Sequence, residues 1–353
     1  MPFPWEVAGA TGLGSLPGIE ARESARVVAG ELSDFIHVVE LPERGPGSDI
    51  IGRTAAMLCS VSMDFGLDTT PQGWRVAPGP GRAMWRAASW LGEDLDALQE
   101  QSLSYSGPVK MQLAGPWTLA ASIEMSTGER ILKDKGACRD LAEALAEAVR
   151  LQVADLRRRF SGPIVVQVDE PALPAVLEGS IGTASGLSSY SPVPPQTAGG
   201  SLGIVLDAIR GVEAIGGVHC CGSNPPIPMF VKAGAGFVSI DLLGSKIPDE
   251  QIGDLLEAGV GLFAGSILSV GVGSISDERA SRPVRELVHR LGMNDPMLLA
   301  GVVVTPTCGM AGASPDWVRT AYAACRAAGR VLRDDRTLEE REHDEREGFD
   351  RDR

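Results

Sequence analysis

An imidazole and two thiols stand together at Val218-His219-Cys220-Cys221-Gly222. The apolar, Gly-rich run Ala214–Val218 ahead of them reads as a short buried strand, and Gly222-Ser223-Asn224-Pro225 reads as the turn after it. Side chains alternate along a strand, so His219 and Cys221 share one face and Cys220 takes the other. A His and a Cys side by side at a strand's end make half of a zinc site. A buried His with two structural cysteines is the other reading of the stretch, because free Cys is among the most buried residue types.

The elements that must position these residues come from the apolar pattern. Glu6–Ser15 and Asp34–Leu41 read as the first two strands; the first runs into Gly12-Leu13-Gly14-Ser15, and the second breaks at Pro42. Val109–Ala114 is the third, closed by Gly115-Pro116. Pro163–Val168 is the fourth, apolar almost throughout, as a parallel strand covered on both faces should be. It ends in Asp169-Glu170-Pro171. His219 and Cys221 lie on the fifth, and Phe237–Leu242, Val260–Ala264 and Leu299–Thr305 follow. Helical pattern falls between the strands, including Asp49–Asp64, Leu95–Leu103, Trp117–Lys133 and Ala137–Arg159. Pro71–Gly81 reads as turns, and Ser180–Gly200, rich in Ser, Gly and Pro, as a long loop that could act as a lid. Eight strands alternating with helices predict an α/β fold, a (β/α)8 TIM barrel over residues 1–335 as a single domain. A doubly wound open sheet is the competitor, and no G-x-G-x-x-G follows the first strand to support it. Residues 336–353 are a dense mix of Glu, Asp and Arg, expected to be disordered or a frayed helix.

Composition narrows the class. With 353 residues, 44% hydrophobic and 22% charged, the chain has the material for one large soluble core. A formal net charge of −14 argues against a nucleic-acid partner, which would want a basic face. No apolar run is long enough to span a bilayer, and the start of the chain lacks a basic-then-apolar signal, so a cytoplasmic protein is expected. The six cysteines (59, 138, 220, 221, 308, 325) are then thiols or metal ligands rather than a disulfide framework.

In such barrels the chemistry sits at the C-terminal ends of the strands. The polar residues there are Ser15, Glu40, Asp169 with Glu170, His219 with Cys221, Asp241 and Cys308. Any one of them could be a helix N-cap or a turn residue. Together they pool one His, two Cys and a carboxylate at one mouth, which is a tetrahedral zinc set with the carboxylate as the ligand that yields to substrate.

The same residues carry a resemblance. His219-x-Cys221, Val238-Ser239-Ile240-Asp241 and Thr305-Pro306-Thr307-Cys308-Gly309 resemble the zinc signature of cobalamin-independent methionine synthase. Val166-Gln167-Val168-Asp169-Glu170-Pro171-Ala172-Leu173 resembles that family's internal motif, and Gly14-Ser15-Leu16-Pro17 its opening Gly-Ser-Phe-Pro. The match runs in order from about residue 9 to 330 and covers the catalytic C-terminal barrel of the family's long form, as in core-only members. The resemblance implies zinc held by His219, Cys221, Asp241 and Cys308. It implies homocysteine bound by Ser15 at its carboxylate and by Glu40 and Asp169 at its ammonium, with Asp169 and Glu170 as catalytic carboxylates. The implied reaction transfers a methyl group to the homocysteine thiol, giving methionine.

Three departures from the family stand out. Asp241 replaces the usual Glu ligand. Ser266, in Leu262-Phe263-Ala264-Gly265-Ser266, stands where the family has a proton-donating His. Ser122 replaces a pterin-stacking Trp, with Trp117 displaced along the helix. The acceptor side is therefore kept and the donor side altered. The donor is 5-methyltetrahydrofolate by family default, and a methylcorrinoid carrier is the rival. Two other readings are a zinc-free enzyme resembling uroporphyrinogen decarboxylase and a non-catalytic zinc- or thiol-binding homologue.

Overall fold

Every residue of Ile164–Asp169 is buried, as a strand with helices outside and a filled lumen inside must be. The computed structural model describes residues 3–61, 66–71, 73–292 and 299–351, with side chains through Asp334. Eight such strands form one parallel sheet: β1 Gly9–Ala10, β2 Ile36–His37, β3 Val109–Ala114, β4 Ile164–Asp169, β5 Ile215–Cys220, β6 Phe237–Asp241, β7 Gly261–Ile267 and β8 Val302–Pro306. They are ordered β1-β8-β7-β6-β5-β4-β3-β2. The open ends meet at a parallel bridge between Ser15 and Glu40, where Leu16 N–H donates to Glu40 O (2.9 Å) and Glu40 N–H donates to Gly14 O (3.1 Å). Two of the mouth residues thus close the barrel. Gly14 permits this: its φ is +136°, and a Cβ there would lie 2.6 Å from the Gln112 side chain.

Helices α1 (Ala21–Glu31), α2 (Ile50–Cys59), α3 (Arg82–Gln101), α4 (Pro116–Ser122), α5 (Lys135–Arg159), α6 (Leu173–Glu178), α7 (Pro195–Gly211), α8 (Ile227–Lys232), α9 (Asp249–Glu257), α10 (Asp277–Arg290) and α11 (Pro315–Arg351) wrap the outside. The backbone of the charged tail continues α11 as far as Arg351. No helix among the described residues is long and apolar enough to cross a membrane.

The lumen is layered by strand alternation. Its floor is Trp5, Phe35, Val165, Phe237, Phe263 and Val303, with Phe237 and Phe263 stacked at 4.1 Å and Trp5 edge-on to Phe263 at 5.2 Å. Two residues further along each strand the same face carries Gln167, Ser239 and Thr305, all buried. The next step reaches Asp169 and Asp241.

Two local expectations fail. The helix read over Trp117–Lys133 stops at Ser122; Ile123–Glu124 is a strand, and Met125 N–H donates to Glu129 O at 2.7 Å around a turn with Gly128 at φ +85°. That strand joins an antiparallel pair, Gly66–Thr70 with Gly73–Ala77, the second of which lies within Pro71–Gly81, where turns were expected. With Leu67 and Trp74 its only buried apolar side chains, the pair's apolar alternation is too short to stand out from its Gly and Pro. Residues 62–64 of the expected Asp49–Asp64 helix lie outside the described residues.

Candidate metal centre

β5 sets the register of the site. His219 pairs with Asp169 on one side and Ser239 on the other. Its imidazole therefore enters the lumen, while Cys220, fully buried, packs outward into the helix layer. Cys221 returns to the inner face, and the turn after β8 brings Cys308 to it. One ligand atom from each of His219, Cys221 and Cys308 lies within 4.8 Å of the others. His219 is buried and both cysteines are half-buried, so the cluster sits under the mouth with its sulfurs toward solvent.

The donor set fits a zinc ion. His219 Nδ1 is 3.0 Å from Ser239 Oγ, which leaves Nε2 for the sulfurs and fixes the ring, as partners of metal-bound imidazoles do. A hydrogen bond from Cys221 pulls the Cys308 thiol down strongly against burial, with His219 helping, and the same contact pushes Cys221 far up. Burial works against a charged His219, but its hydrogen bond to Cys308 and the charge of Asp169 leave its pKa raised. A negative charge is thus stabilised where the three donors converge. One imidazole and two thiolates with room for further ligands is a pattern used by catalytic zinc.

Asp241 is not drawn into this group. Its Oδ1 accepts the backbone N–H of Leu243 (2.8 Å) and Gly244 (2.9 Å), so its short arm caps the turn that ends β6. Ser15 does lie beside the cluster: its carbonyl accepts Met310 N–H at 2.8 Å, and a Cβ on Gly309 would fall 2.0 Å from its Oγ. Glu40 and Asp169 are both buried next to it. Burial pushes the Asp169 carboxyl up to about 7, opposed by His219 and Lys110, while Gln167 Nε2 donates to its Oδ1 at 2.7 Å. Burial likewise raises Glu40, opposed first by Arg53.

Glu170 is placed elsewhere, on the helix side of the strand end rather than with the cluster. It is wholly buried and faces away from Asp169. Its Oε1 accepts Trp117 N–H (2.9 Å), and its Oε2 accepts Thr118 N–H and Thr118 Oγ1–H (2.8 Å each). It caps the N-terminus of α4 from outside the helix. A Cβ on Gly115 would sit 2.4 Å from Oε1, so the carboxylate fits only because residue 115 is Gly.

Sequence reasoning passed over Lys110. It is fully buried on the lumen face of β3, with Nζ donating to Leu13 O and Gln112 Oε1 at 3.3 Å each. Burial pulls its ammonium down to about 8, and Asp169 and Glu40 act against that shift. The signal was available: Lys110 and Gln112 alternate with apolar residues in a strand buried at every position. On the donor side, Ser266 sits at a register shift in β7 with its Oγ buried and without a hydrogen-bond partner. Trp117 is buried and donates its Nε1–H to Ala198 O at 2.9 Å, so its ring is committed to the α4–α7 packing. Ser122 ends α4 half-buried.

Fold and site together define a (β/α)8 barrel with a His-Cys-Cys cluster at its C-terminal mouth. No family model and no curated protein matches the chain. Among solved structures the chain is similar to a B12-independent methionine synthase from Shewanella sp. W3-18-1 in complex with selenomethionine, at TM-score 0.60 and 15% identity, covering 93% of this chain and 98% of that one. At that identity the likeness is one of fold. A GH138 enzyme targeting pectin rhamnogalacturonan II aligns at TM-score 0.47 and 9% identity over 93% of this chain and 39% of its own. An oxaloacetate acetylhydrolase in complex with 3,3-difluorooxalacetate aligns at 0.36 and 12%, over 85% and 75%.

Proposed function

We propose that this chain is a zinc-dependent methyltransferase that methylates the thiol of homocysteine to give methionine. The observation that carries the reading is the convergence of His219, Cys221 and Cys308 within 4.8 Å at the mouth of a barrel with a methionine-synthase-like fold. These three residues would hold the metal. Asp241 is proposed as the exchangeable fourth ligand, at the expense of its two turn hydrogen bonds. Zinc bound there would supply a Lewis acid that lowers the pKa of a ligating thiol, about 8.5 when free, so that the proton is released to solvent and the sulfur is held as thiolate at neutral pH. The rest falls to the protein. Ser15, on the barrel-closing seam, offers its hydroxyl and neighbouring amide groups to the substrate carboxylate. Glu40 and Asp169 take the ammonium. The aromatic floor closes the lumen below and keeps bulk water out.

For the donor, the altered residues favour a methylcorrinoid over 5-methyltetrahydrofolate. Transfer from a folate N5 needs that nitrogen protonated as it leaves, and a positioned acid contributes about 10²–10⁴-fold. Ser266 is a poor acid, and Trp117 is buried away from any pterin. The test is metal analysis of the purified protein, followed by parallel assays with L-homocysteine and either 5-methyltetrahydrofolate or methylcob(III)alamin. Stoichiometric zinc and faster methionine formation from the corrinoid are expected. Zinc and homocysteine binding without turnover of either donor would indicate the non-catalytic homologue. A metal-free protein that decarboxylates uroporphyrinogen would establish the decarboxylase reading instead.

A further inference from the structure

Glu40 reaches the mouth of the barrel with a buried cation behind it. Arg53 projects from α2 and its Nη1 donates to Asp94 of α3 at 2.5 Å. Asp94 also receives Arg44 Nη1 at 2.9 Å, and Arg44 Nε donates to Ile19 O at 2.8 Å. The side chains of Arg44, Arg53, Asp94 and Glu40 are all at most 5% exposed. On its other side Arg53 Nε faces Glu40 Oε1 at 3.9 Å, and neither atom has a hydrogen-bond partner.

That separation is informative. Opposite charges about 4 Å apart attract strongly away from water. A hydrogen bond, however, needs about 2.7–3.2 Å. Arg53 therefore lends Glu40 its field without occupying the carboxylate's acceptor. Leaving a buried polar atom without a partner is costly, so the Glu40 carboxylate keeps unmet acceptor capacity that a ligand's N–H can fill. Lys110, the other cation near Glu40, is already engaged with Leu13 O and Gln112 Oε1.

We propose that Arg53 is a positioning residue for the substrate's ammonium: anchored by Asp94 and Arg44, it holds Glu40 as a carboxylate without hydrogen-bonding it, so that the carboxylate can accept an N–H of an α-amino acid. The inference rests on the proposed reading of Glu40 as an ammonium acceptor. It makes the α2–α3 pair, outside the barrel, part of the specificity for an amino acid over the corresponding thiol acid.

The experiment compares L-homocysteine with 4-mercaptobutanoate, its analogue without the amine, by calorimetry at matched zinc content. The proteins are the wild type, Arg53→Gln and Arg53→Lys. Glutamine keeps a donor for Asp94 and removes the charge. A paired variant, Arg53→Met with Asp94→Asn, removes both charges of the pair while leaving an amide oxygen at position 94 to accept Arg44 Nη1, and the prediction for it is the same. Homocysteine should bind about tenfold or more weakly to Arg53→Gln and to the paired variant, the scale of a lost charge-assisted contact. Binding of 4-mercaptobutanoate should stay within about twofold in both, and Arg53→Lys should recover most of the homocysteine affinity. Equal weakening of both ligands, or of neither, would overturn the role. A wild type that binds the two ligands equally would instead remove the ammonium reading of Glu40, a result distinct from any that the Arg53 variants can give.

Discussion

Glu170 offers the sharpest separation of structure from chemistry. Adjacent to Asp169 in a motif that resembles a catalytic one, it nevertheless accepts three hydrogen bonds at the N-terminus of α4 and has no exposed surface. Replacing it with Ala would leave the Trp117 and Thr118 amides buried without acceptors. At about 1–3 kcal/mol for each orphaned donor, the loss should be about 3–4 kcal/mol. Glu170→Gln keeps the volume and one acceptor oxygen but turns an NH₂ toward a donor, for about 1.5–3 kcal/mol. Chemical denaturation reads both as lower midpoints at unchanged m-value. Gly115→Ala should mimic the effect by pushing a methyl into Oε1, which lies 2.4 Å from the Cβ position. Folded Glu170→Gln should keep its zinc and turn over within a few-fold of wild type. The opposite pattern, a wild-type midpoint with turnover lowered a hundredfold or more, would return Glu170 to the catalytic machinery and refute the capping account.

Two further outcomes follow from the lumen. Cys221→Ser and Cys308→Ser should lose zinc and Cys220→Ser should keep it, by metal analysis; loss in Cys220→Ser with retention in Cys221→Ser would mean that β5 has the other register. His37 is fully buried, its Nε2 2.7 Å from Tyr322 Oη and its Nδ1 3.0 Å from Val38 O. Burial, then Lys110, pulls its pKa down to about 3. The unfolded chain takes up this proton below about 6.5 and the folded chain does not, so stability falls as pH drops from about 6.5 toward 3. At pH 5 this amounts to about 2 kcal/mol, which His37→Gln should remove from the acid limb of a pH–stability profile; an identical acid limb in that variant would show that the imidazole is not held neutral.

The sequence made the barrel and much of its mouth legible because one rule governs both. Alternation along β5 separates Cys220 from Cys221, and the structure has His219 and Cys221 in the cluster with Cys308. The same rule separates Glu170 from Asp169 and points Glu170 toward the helix layer, where it meets α4. Asp241 was harder, since a short carboxylate after a strand can serve either a metal or the amides of the turn that follows, and no spacing in the sequence distinguishes the two. Arg53 and Lys110 were hardest. A buried charge runs against every pattern by which a core is read, and it is tolerated only when a partner is present. Asp94, which holds Arg53, lies 41 residues away on another helix, and Glu40 comes from the second strand. No local spacing encodes that meeting. What is encoded is an anomaly: the one charged residue of the Ile50–Cys59 helix, which is buried across nearly its whole length, is an arginine that has to find an anion. The question left open by the sequence is which one, and the fold supplies two, Asp94 on the neighbouring helix and Glu40 at the mouth of the barrel.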